Sequence, residues 1–332
     1  MKALVVNTPG KLEFADIPVP VINPYQALAK VEVCGICNST DTKLIDGLMG
    51  WAPPAPFVLG HESVGTIVEI GERVTRYKVG DRVTRPIYRS PIPASKLQAA
   101  NGGFVEYGIV TDNAAMAADG DLSMADDYNA NRQMVAPQSL SPLQAALCIS
   151  LSETASLIDP LPNIAGQTVL VAGTGVAGLS FAMWCKLAGA RTIVLGRRAS
   201  RLALATKLGA DHVIDTSESG YVERLVAEYG QADVLFEGTG VVSVADGLAS
   251  VLKPGGYALA YGVPPSGNKY ADFWKSPAVN EQTRYAWVTD LMARGWIKSE
   301  WFVTHTWKFD EALQAFDQTR AGEVFKGFVT IS

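Results

Sequence analysis

Hydrophobic and polar residues follow two different patterns along the chain. In residues 1 to about 145, short runs such as ALAKVEVCGI and VGTIVEIG alternate apolar with polar positions and are divided by glycine and proline. Alternation over this length is typical of half-buried β-strands, and no long helical period accompanies it. The first part of the chain is therefore predicted to be mostly β.

From Gln167 onward, continuous apolar runs alternate with helical segments. The runs TVLVAG, RTIVLG and ADVLFEGTG have the composition of buried parallel strands. Helix-length segments, among them GLSFAMWCKLAGA and RLALATKLGA, separate them. Strands that alternate with helices in this way predict a doubly wound parallel sheet, so the fold class is α/β. One more helix is predicted after about residue 281, and the tail that follows it is predicted to form a further helix and a strand.

Length and composition add limits to this picture. A chain of 332 residues is too long for one ordinary hydrophobic core, so two domains are predicted. Its residues are 48% apolar and 18% charged, which indicates large buried cores. The net charge of -5 and the lack of a basic stripe argue against nucleic acid as a partner. The uncharged stretch 160–185 contains four glycines and two prolines, so it is interpreted as strand, turn and helix rather than a membrane span. The N-terminus has too short an apolar run for a signal peptide, so we expect a cytoplasmic protein without a membrane partner.

The segment VLVAGTGVAG carries Gly173, Gly175 and Gly178 in the spacing G-x-G-x-x-G. The first glycine allows the turn, the second lets the backbone approach a pyrophosphate, and the third lets helix and strand pack closely. The motif follows a predicted strand and opens a predicted helix, which is the context that makes it informative. It therefore predicts a dinucleotide site.

The end of the second strand, IVLGRRASR, predicts which dinucleotide binds. An NAD site has an acidic residue there, whereas this chain has Gly196, Arg197 and Arg198. Two guanidiniums can hold a 2′-phosphate through charge-assisted hydrogen bonds worth ~1.5–3 kcal/mol each. The sequence therefore favours NADP(H), with Arg201 as a weaker additional contact.

The segment VLGHESVG contains His61, one of three histidines, followed by Glu62. Cys37 precedes His61 by 24 residues in VCGICNSTDTK. Thiolate, imidazole and carboxylate are all zinc ligands, and a catalytic zinc needs about three of them and one open position. Because such ligands come from separate loops, spacing alone leaves open whether His61 is a ligand, a base or a turn residue.

VCGIC with the nearby Asp41, GHESVGTIVEIGERVTRYKVGDRV, GGFVEY and VLVAGTGVAG together resemble the medium-chain dehydrogenase/reductase family, in its zinc-containing alcohol dehydrogenase branch. The resemblance implies a GroES-like catalytic domain (1–147), a Rossmann domain (148–282) and a C-terminal segment that returns to the catalytic domain (283–332). It implies Cys37 and His61 as zinc ligands, with Glu62 beside or on the metal. The resemblance also implies that the YALAYGV strand pairs edge to edge across a two-fold axis, which would give a homodimer or homotetramer. The implied and predicted cofactor contacts also include Thr154 near the nicotinamide, Val176, Gly238, Thr239 and Gly262.

The chain departs from the family in three places. The stretch 85–104, where relatives often carry four cysteines, has none, so one catalytic zinc and no structural zinc are expected. Three residues rather than two separate Cys37 from Asp41. The resemblance implies a hydroxyl near the metal that starts a proton relay, and with this spacing either Ser39 or Thr40 is the candidate. The family's remaining ligand position falls on Ser150, a poor zinc ligand. Glu153, one helical turn on, is the predicted substitute, and the alternative is a site of Cys37, His61 and Glu62 alone.

The predicted activity is that of an NADP(H)-dependent zinc alcohol dehydrogenase or carbonyl reductase acting on a small alcohol or carbonyl compound. Zinc would serve as a Lewis acid while hydride moves between the alcohol carbon and the nicotinamide. Two alternatives remain open: a zinc-free reductase of activated C=C bonds or quinones, and a non-catalytic NADPH-binding sensor. Residues expected to pack or to lie outside the chemistry, or only at its margin, are Cys34, Cys148, Cys185, His212 and His305. Trp51 and Tyr88 are candidates for the wall of the substrate pocket, where aromatic side chains serve packing as often as recognition.

Overall fold

The computed structural model describes residues 1–92 and 95–332, which contain the following strands and helices. The strands are β1 (Lys2–Thr8), β2 (Lys11–Asp16), β3 (Gln26–Ile36), β4 (Phe57–Val58), β5 (Glu62–Ile70), β6 (Arg82–Thr84), β7 (Gln98–Ala99), β8 (Tyr107–Thr111), β9 (Val135–Ala136), β10 (Thr168–Ala172), β11 (Arg191–Gly196), β12 (His212–Asp215), β13 (Ala232–Glu237), β14 (Leu252–Ala260), β15 (Val303–Lys308) and β16 (Lys326–Thr330). The helices are α1 (Thr40–Ile45), α2 (Asn113–Ala118), α3 (Pro142–Ser156), α4 (Val176–Leu187), α5 (Ala199–Lys207), α6 (Tyr221–Tyr229), α7 (Val242–Gly247), α8 (Glu281–Ala293) and α9 (Ala312–Arg320).

The chain packs into two units. The first comprises residues 1–150 and 282–332, and the second comprises residues 151–281. The C-terminal segment is therefore part of the first unit, although the whole second unit separates them in sequence. The boundary between residues 150 and 151 falls inside α3.

The first unit contains two β-sheets. One has the strand order β2-β1-β4-β7, and the other runs β15-β16-β3-β5-β6-β9, with β8 also paired to β3. The long strand β3 is antiparallel to β5, β8 and β16, so it ties the N-terminal strands to the C-terminal tail. Its residues are mostly buried because sheet neighbours and core side chains cover both faces. This unit has the predominantly β character that the alternating pattern predicted.

A buried carboxylate, Asp112, joins a loop of the first unit to a helix. Its Oδ1 accepts a hydrogen bond from the backbone N–H of Ala115 at 3.0 Å and so caps α2. Its Oδ2 accepts from the backbone N–H groups of Thr75 and Arg76, each at 2.8 Å. Burial opposes ionisation, but these donors outweigh it and lower the pKa of Asp112. The ionised side chain is therefore part of the fold.

The second unit is a five-stranded parallel sheet in the order β12-β11-β10-β13-β14. The central strands β10 and β11 are buried almost end to end, as their unbroken apolar sequences predicted. Helices α4 to α7 connect successive strands, which gives the order 3-2-1-4-5 of a Rossmann sheet. The predicted α/β fold class is confirmed. Within the described residues, none of the helices has both the length and the apolar character needed to cross a bilayer.

Candidate metal centre and nucleotide site

The ends of two neighbouring strands bring the predicted metal ligands of the first unit together. Cys37 directly follows β3, and His61 directly precedes β5, which begins at Glu62. Because the antiparallel register pairs Gly35 with Glu62, these two strand ends lie side by side. One ligand atom each from Cys37, His61 and Glu62 lies within 4.8 Å of the others. Among the described residues, these three form the cluster of histidine, cysteine and acidic side chains that could hold a metal ion.

The donor set of this cluster fits zinc. Sulfur, nitrogen and carboxylate oxygen are the three ligand types of zinc sites, and ligand atoms around a four-coordinate zinc lie about 3.3–3.8 Å apart. Side chains within 4.8 Å of one another therefore need only a small movement to share one ion. The buried carboxylate of Asp41 adds further negative charge, which also favours a cation.

The carboxylate of Asp41 in α1 lies against the ring of His61. Its Oδ1 lies 3.2 Å from His61 Nδ1, although neither atom makes a hydrogen bond of normal geometry. Its Oδ2 accepts a hydrogen bond from the backbone N–H of Cys37 at 2.9 Å. Burial opposes a charged imidazole, but the Asp41 carboxylate and, to a smaller extent, Cys37 outweigh it and raise the pKa of His61 well above its usual range. Such a carboxylate typically fixes the ring of a metal-ligating histidine.

The backbone of His61 is held as well. The buried guanidinium of Arg85 donates a hydrogen bond from Nη1 to the His61 carbonyl oxygen. Arg85 adopts a φ of 53°, which is uncommon for a residue with a side chain. Neither Arg85 nor the orienting role of Asp41 was inferred from the sequence. An acidic residue in the first turn after Cys37 was the only available signal.

Two donors from different elements hold the carboxylate of Glu62. Ser150 Oγ in α3 donates a hydrogen bond to Oε1 at 2.9 Å. The ammonium of Lys326, on β16, forms an ion pair with Oε2 and also donates to the Ile36 carbonyl oxygen at 3.1 Å. Glu62 and Lys326 are each 4% exposed. Ser150, at the family's ligand position, thus contacts the metal cluster through Glu62.

The two candidate relay hydroxyls lie at the start of α1. Ser39 is its N-cap residue, is exposed, and accepts a hydrogen bond from Lys43 Nζ at 3.1 Å. Thr40 is the first residue of the helix and is half-buried. The helix accommodates the extra residue between Cys37 and Asp41, since Asp41 still reaches the Cys37 N–H. Which hydroxyl moves the proton stays a prediction.

In the second unit, the glycine turn joins β10 to α4. Gly173 has a φ of 113°, a conformation that side chains disfavour. A Cβ on Gly178 would overlap the carbonyl oxygen of Gly173, so this glycine allows the helix to pack close to the turn. Gly175 is the N-cap of α4, and no atom lies within 4 Å of where its Cβ would be. Val176 is the first helical residue, so the exposed N–H groups of this helix end lie at the turn.

Other predicted cofactor residues surround this turn. Gly238 donates from its N–H to the Ala172 carbonyl oxygen at 2.9 Å. Thr239 packs on Gly173, where an added Cβ would lie 3.1 Å from Thr239 Cγ2. A Cβ on Gly262 would overlap the backbone of Gly240, so no side chain fits at this position. The structure thus brings predicted residues from three segments, at Gly173, at Gly238 and Thr239, and at Gly262, to one edge of the sheet.

A buried carboxylate that the sequence did not reveal holds these loops together. Glu237, the last residue of β13, is fully buried. It accepts hydrogen bonds from the backbone N–H groups of Thr239 and Gly240 at 2.7 and 3.1 Å. It also accepts from the hydroxyl of Tyr270, which lies 2.7 Å from the Gly262 carbonyl oxygen. The contact joins the loops that follow β13 and β14.

The predicted 2′-phosphate residues lie at the end of β11. Gly196 is the last residue of this strand, and a Cβ there would overlap Thr174 in the glycine turn. Arg197 and Arg198 are exposed, and Arg198 is the N-cap of α5. Burial and the nearby charge of Arg198 lower the pKa of Arg201 to about 10. Two guanidiniums are therefore close enough to repel each other next to the turn.

The two predicted residues from the end of α3 have partners in the second unit. Thr154 Oγ1 is buried, lies 2.8 Å from Ser180 Oγ, and accepts from Trp184 Nε1 at 3.1 Å. Glu153 Oε2 accepts a hydrogen bond from the hydroxyl of Tyr261 at 3.0 Å. Contact of Thr154 with the nicotinamide and zinc ligation by Glu153 both stay predictions.

The remaining candidates behave mainly as packing residues. Cys34, Cys148 and Cys185 are buried, and burial raises the pKa of each thiol. His212 lies against the Tyr229 ring at 4.5 Å, and His305 stacks on Trp307 at 5.4 Å. Of the two aromatics expected at the pocket wall, Trp51 is 54% exposed, whereas Tyr88 is buried in a hydrophobic cluster with Val58 and Val105.

Comparison with known proteins identifies relatives over the whole chain. Residues 23–119 match the family model of the alcohol dehydrogenase GroES-like domain, and residues 177–285 match that of zinc-binding dehydrogenases. The chain is 30% identical over 340 residues to the probable D-xylulose reductase A of Emericella nidulans, with 96% of this chain and 93% of the relative covered. It is 29% identical over 271 residues to the sorbitol dehydrogenase of Bacillus subtilis, with 80% of this chain and 75% of that one covered.

A similar solved structure comes from Sinorhizobium meliloti 1021. That protein is assigned to the zinc-binding dehydrogenases, and its crystal structure has NADP bound. It superposes with a TM-score of 0.81 at 27% sequence identity, covering 99% of each chain.

Proposed function

This chain belongs to the zinc-containing alcohol dehydrogenase branch of the medium-chain dehydrogenase/reductase family, as the sequence predicted, and we propose that it is an NADP(H)-dependent zinc alcohol dehydrogenase or carbonyl reductase. Membership makes it an oxidoreductase that acts on CH–OH groups. The observation that carries the proposal is the cluster of Cys37, His61 and Glu62 at the adjoining ends of β3 and β5.

The residues that would hold a catalytic zinc are Cys37, His61 and Glu62, with Glu153 as a further candidate. When bound, zinc supplies a Lewis acid that polarises an alcohol or carbonyl oxygen, and NADP(H) supplies the hydride chemistry. We propose one zinc per chain, because the stretch 85–104 contains no cysteine for a structural site.

The chain's own residues position the metal ligand His61 and provide a path for the substrate proton. Asp41 Oδ1 faces His61 Nδ1 and so leaves the other ring nitrogen, Nε2, as the one to face a metal. Arg85 holds the His61 carbonyl oxygen, which fixes the turn before β5. The hydroxyl of Ser39 or Thr40 would carry the proton between substrate and solvent.

The metal proposal is tested with Cys37→Ala and His61→Ala. Both variants should lose zinc and turnover while NADPH binding persists, because the nucleotide residues lie in the other unit. Cys148→Ala is the matched control, since that buried thiol in α3 packs and should leave zinc content and turnover intact. Full turnover of quinones or activated C=C substrates by metal-free protein would instead establish the zinc-free reductase. Tight NADPH binding with no turnover on any alcohol or carbonyl panel would establish the sensor.

The preference for NADP(H) is proposed from the arginines at the end of β11. Arg197, Arg198 and Arg201 supply positive charge there, and residues 197–201 include no acidic side chain to repel a 2′-phosphate. Each lost charge-assisted hydrogen bond costs about 1.5–3 kcal/mol, or about 10- to 150-fold in affinity. Arg197→Ala/Arg198→Ala should therefore weaken NADPH by at least tenfold and NADH little. Arg224→Ala on α6 is the control, and an unchanged NADPH-to-NADH ratio in fluorescence titrations would refute the assignment.

The substrate class is proposed from relatives. Similar proteins include a D-xylulose reductase, a sorbitol dehydrogenase and an L-threonine 3-dehydrogenase, which favours a small polyol or another secondary alcohol. A panel of polyols, secondary alcohols and aldehydes tests this, and activity confined to primary alcohols would contradict it. A homodimer or homotetramer paired through β14, which is the edge strand of its sheet, and a cytoplasmic location stay predictions.

A further inference from the structure

Both oxygens of the buried Glu62 carboxylate have a hydrogen-bond donor, one of them neutral and the other positively charged. Ser150 donates a neutral hydrogen bond to Oε1 at 2.9 Å, whereas Lys326 brings a full positive charge to Oε2. The two donors come from α3 and β16, which are distant in sequence from β5 and from each other. Glu62 is also a member of the metal cluster, so both donors act on a predicted ligand.

Strand register builds this arrangement. β16 pairs with β3 so that Gly327 faces Ile36 and Phe328 faces Gly35, and β3 pairs Gly35 with Glu62. Lys326 therefore starts its strand beside the end of β3. Gly35 provides the space, because a Cβ there would overlap Oε2 of Glu62 and lie 2.8 Å from the Phe328 ring. The three strands thus place one carboxylate and one ammonium side by side in the interior.

The two donors have different electrostatic consequences for a metal. A buried carboxylate without a counter-charge is strongly destabilising, so the Lys326 ammonium stabilises the site whenever no cation is present. The same ammonium repels a divalent cation that Glu62 would help to bind. Ser150 carries no charge, so it can only fix the direction of the carboxylate.

We propose that Lys326 is a built-in counter-ion that substitutes for the metal: it keeps the metal-free site folded and weakens the binding of a divalent cation. Ser150 is a positioning residue that aims Glu62 at the cluster and strengthens binding. This inference rests on the proposed zinc site. It assigns opposite effects on metal affinity to two residues that hold the same side chain.

The test compares Lys326→Met with Ser150→Ala in full-length protein stripped of metal and titrated with Zn²⁺ against a chromophoric chelator. Lys326→Met should bind Zn²⁺ at least about tenfold more tightly than the wild type, because a nearby positive charge is removed. Ser150→Ala should bind it about 10-fold more weakly, as the loss of outer-shell partners usually does. Lys30→Met, an exposed lysine on β3, is the control and should change neither value.

Thermal unfolding provides the second readout. Metal-free Lys326→Met should melt at a lower temperature than the wild type, and Zn²⁺ should raise its melting temperature by more than it raises the wild type's. In a Glu62→Gln background the same lysine substitution should no longer destabilise the metal-free protein, since no carboxylate charge remains to be balanced. Should Lys326→Met fail to fold without metal, Lys326→Gln and the Glu62→Gln/Lys326→Met pair provide the same comparison.

Cobalt substitution separates failure of this inference from failure of the proposed function. Co²⁺ bound at Cys37 gives a thiolate charge-transfer band that does not depend on activity. One outcome is that the wild type shows this band while Lys326→Met binds Zn²⁺ with the same affinity as the wild type, or with a lower one. In that case the counter-ion role of Lys326 is overturned, whereas the zinc site stands. If the wild type shows no such band, both the zinc site and this inference are overturned.

Discussion

Exchange of Gly175 for alanine should separate nucleotide binding from folding. Gly175 is the N-cap of α4 with φ of -79° and ψ of 178°, values that alanine adopts without strain. No protein atom lies within 4 Å of the added Cβ. Alanine is a poorer N-cap than glycine, but it also lowers the entropy of the unfolded chain, so the free energy of unfolding should change by less than about 1 kcal/mol.

The nucleotide should respond very differently. The second glycine of the motif is the point where backbone and pyrophosphate approach each other, so the new methyl group would occupy space that the phosphates need. Inserting a methyl group into a packed site costs about 1–3 kcal/mol. The Kd for NADPH should therefore rise by about 5- to 150-fold.

Gly178→Ala is the matched comparison from the same turn. Its Cβ would lie well inside 3.0 Å of the Gly173 carbonyl oxygen, so the turn or α4 must shift. This variant should lose about 1–3 kcal/mol of unfolding free energy, or fail to fold. Urea unfolding and NADPH fluorescence titration measure both quantities. Gly175→Ala with normal stability and an unchanged NADPH Kd would refute the placement of the phosphates at this turn.

Three further predictions concern the first unit. Asp41→Asn should lower zinc affinity by about 10- to 100-fold in chelator competition, and an unchanged affinity would exclude its role in orienting His61. Because the pKa of His61 is raised and metal binding needs neutral imidazole, apparent zinc affinity should fall as the pH drops below that pKa; a pH-independent affinity would contradict this. Asp112→Ala should cost about 1–3 kcal/mol of unfolding free energy at neutral pH. Because folding lowers the pKa of Asp112, the carboxylate contributes fully to stability above the unfolded-state pKa of about 3.9, and this contribution is lost as the pH falls through the lowered pKa. If Asp112→Ala remained less stable than the wild type by the same amount in strong acid, the assignment would be refuted.

Local patterns made the second unit predictable. The alternation of apolar runs with helical segments specified a parallel sheet because each strand and helix has its own period in the sequence. The positions of Gly173 and Gly178 followed from the same logic, since each glycine answers a steric need within a few residues. Cys37 and His61 were paired through resemblance to a family, because spacing alone cannot bring together residues from separate loops.

Contacts between segments that are distant in the chain could not be predicted from the sequence. Lys326 lies 264 residues from Glu62, and only the pairing of β16 with β3 brings them together. Nothing local marks a lysine in a tail strand as buried, since most lysines are exposed. The contact between Glu237 and Tyr270 was missed for the same reason. Ser150 was judged only as a poor ligand, and its hydrogen bond to a neighbouring ligand depends on side-chain directions that the sequence does not give.

A zinc-edge anomalous difference map from crystals of metal-replete protein tests the central claim most directly. The account predicts a single peak enclosed by Cys37 Sγ, a ring nitrogen of His61 and the Glu62 carboxylate, and no second peak near residues 85–104. Well-folded, metal-replete protein with no peak at this cluster, or with zinc bound elsewhere, would contradict it.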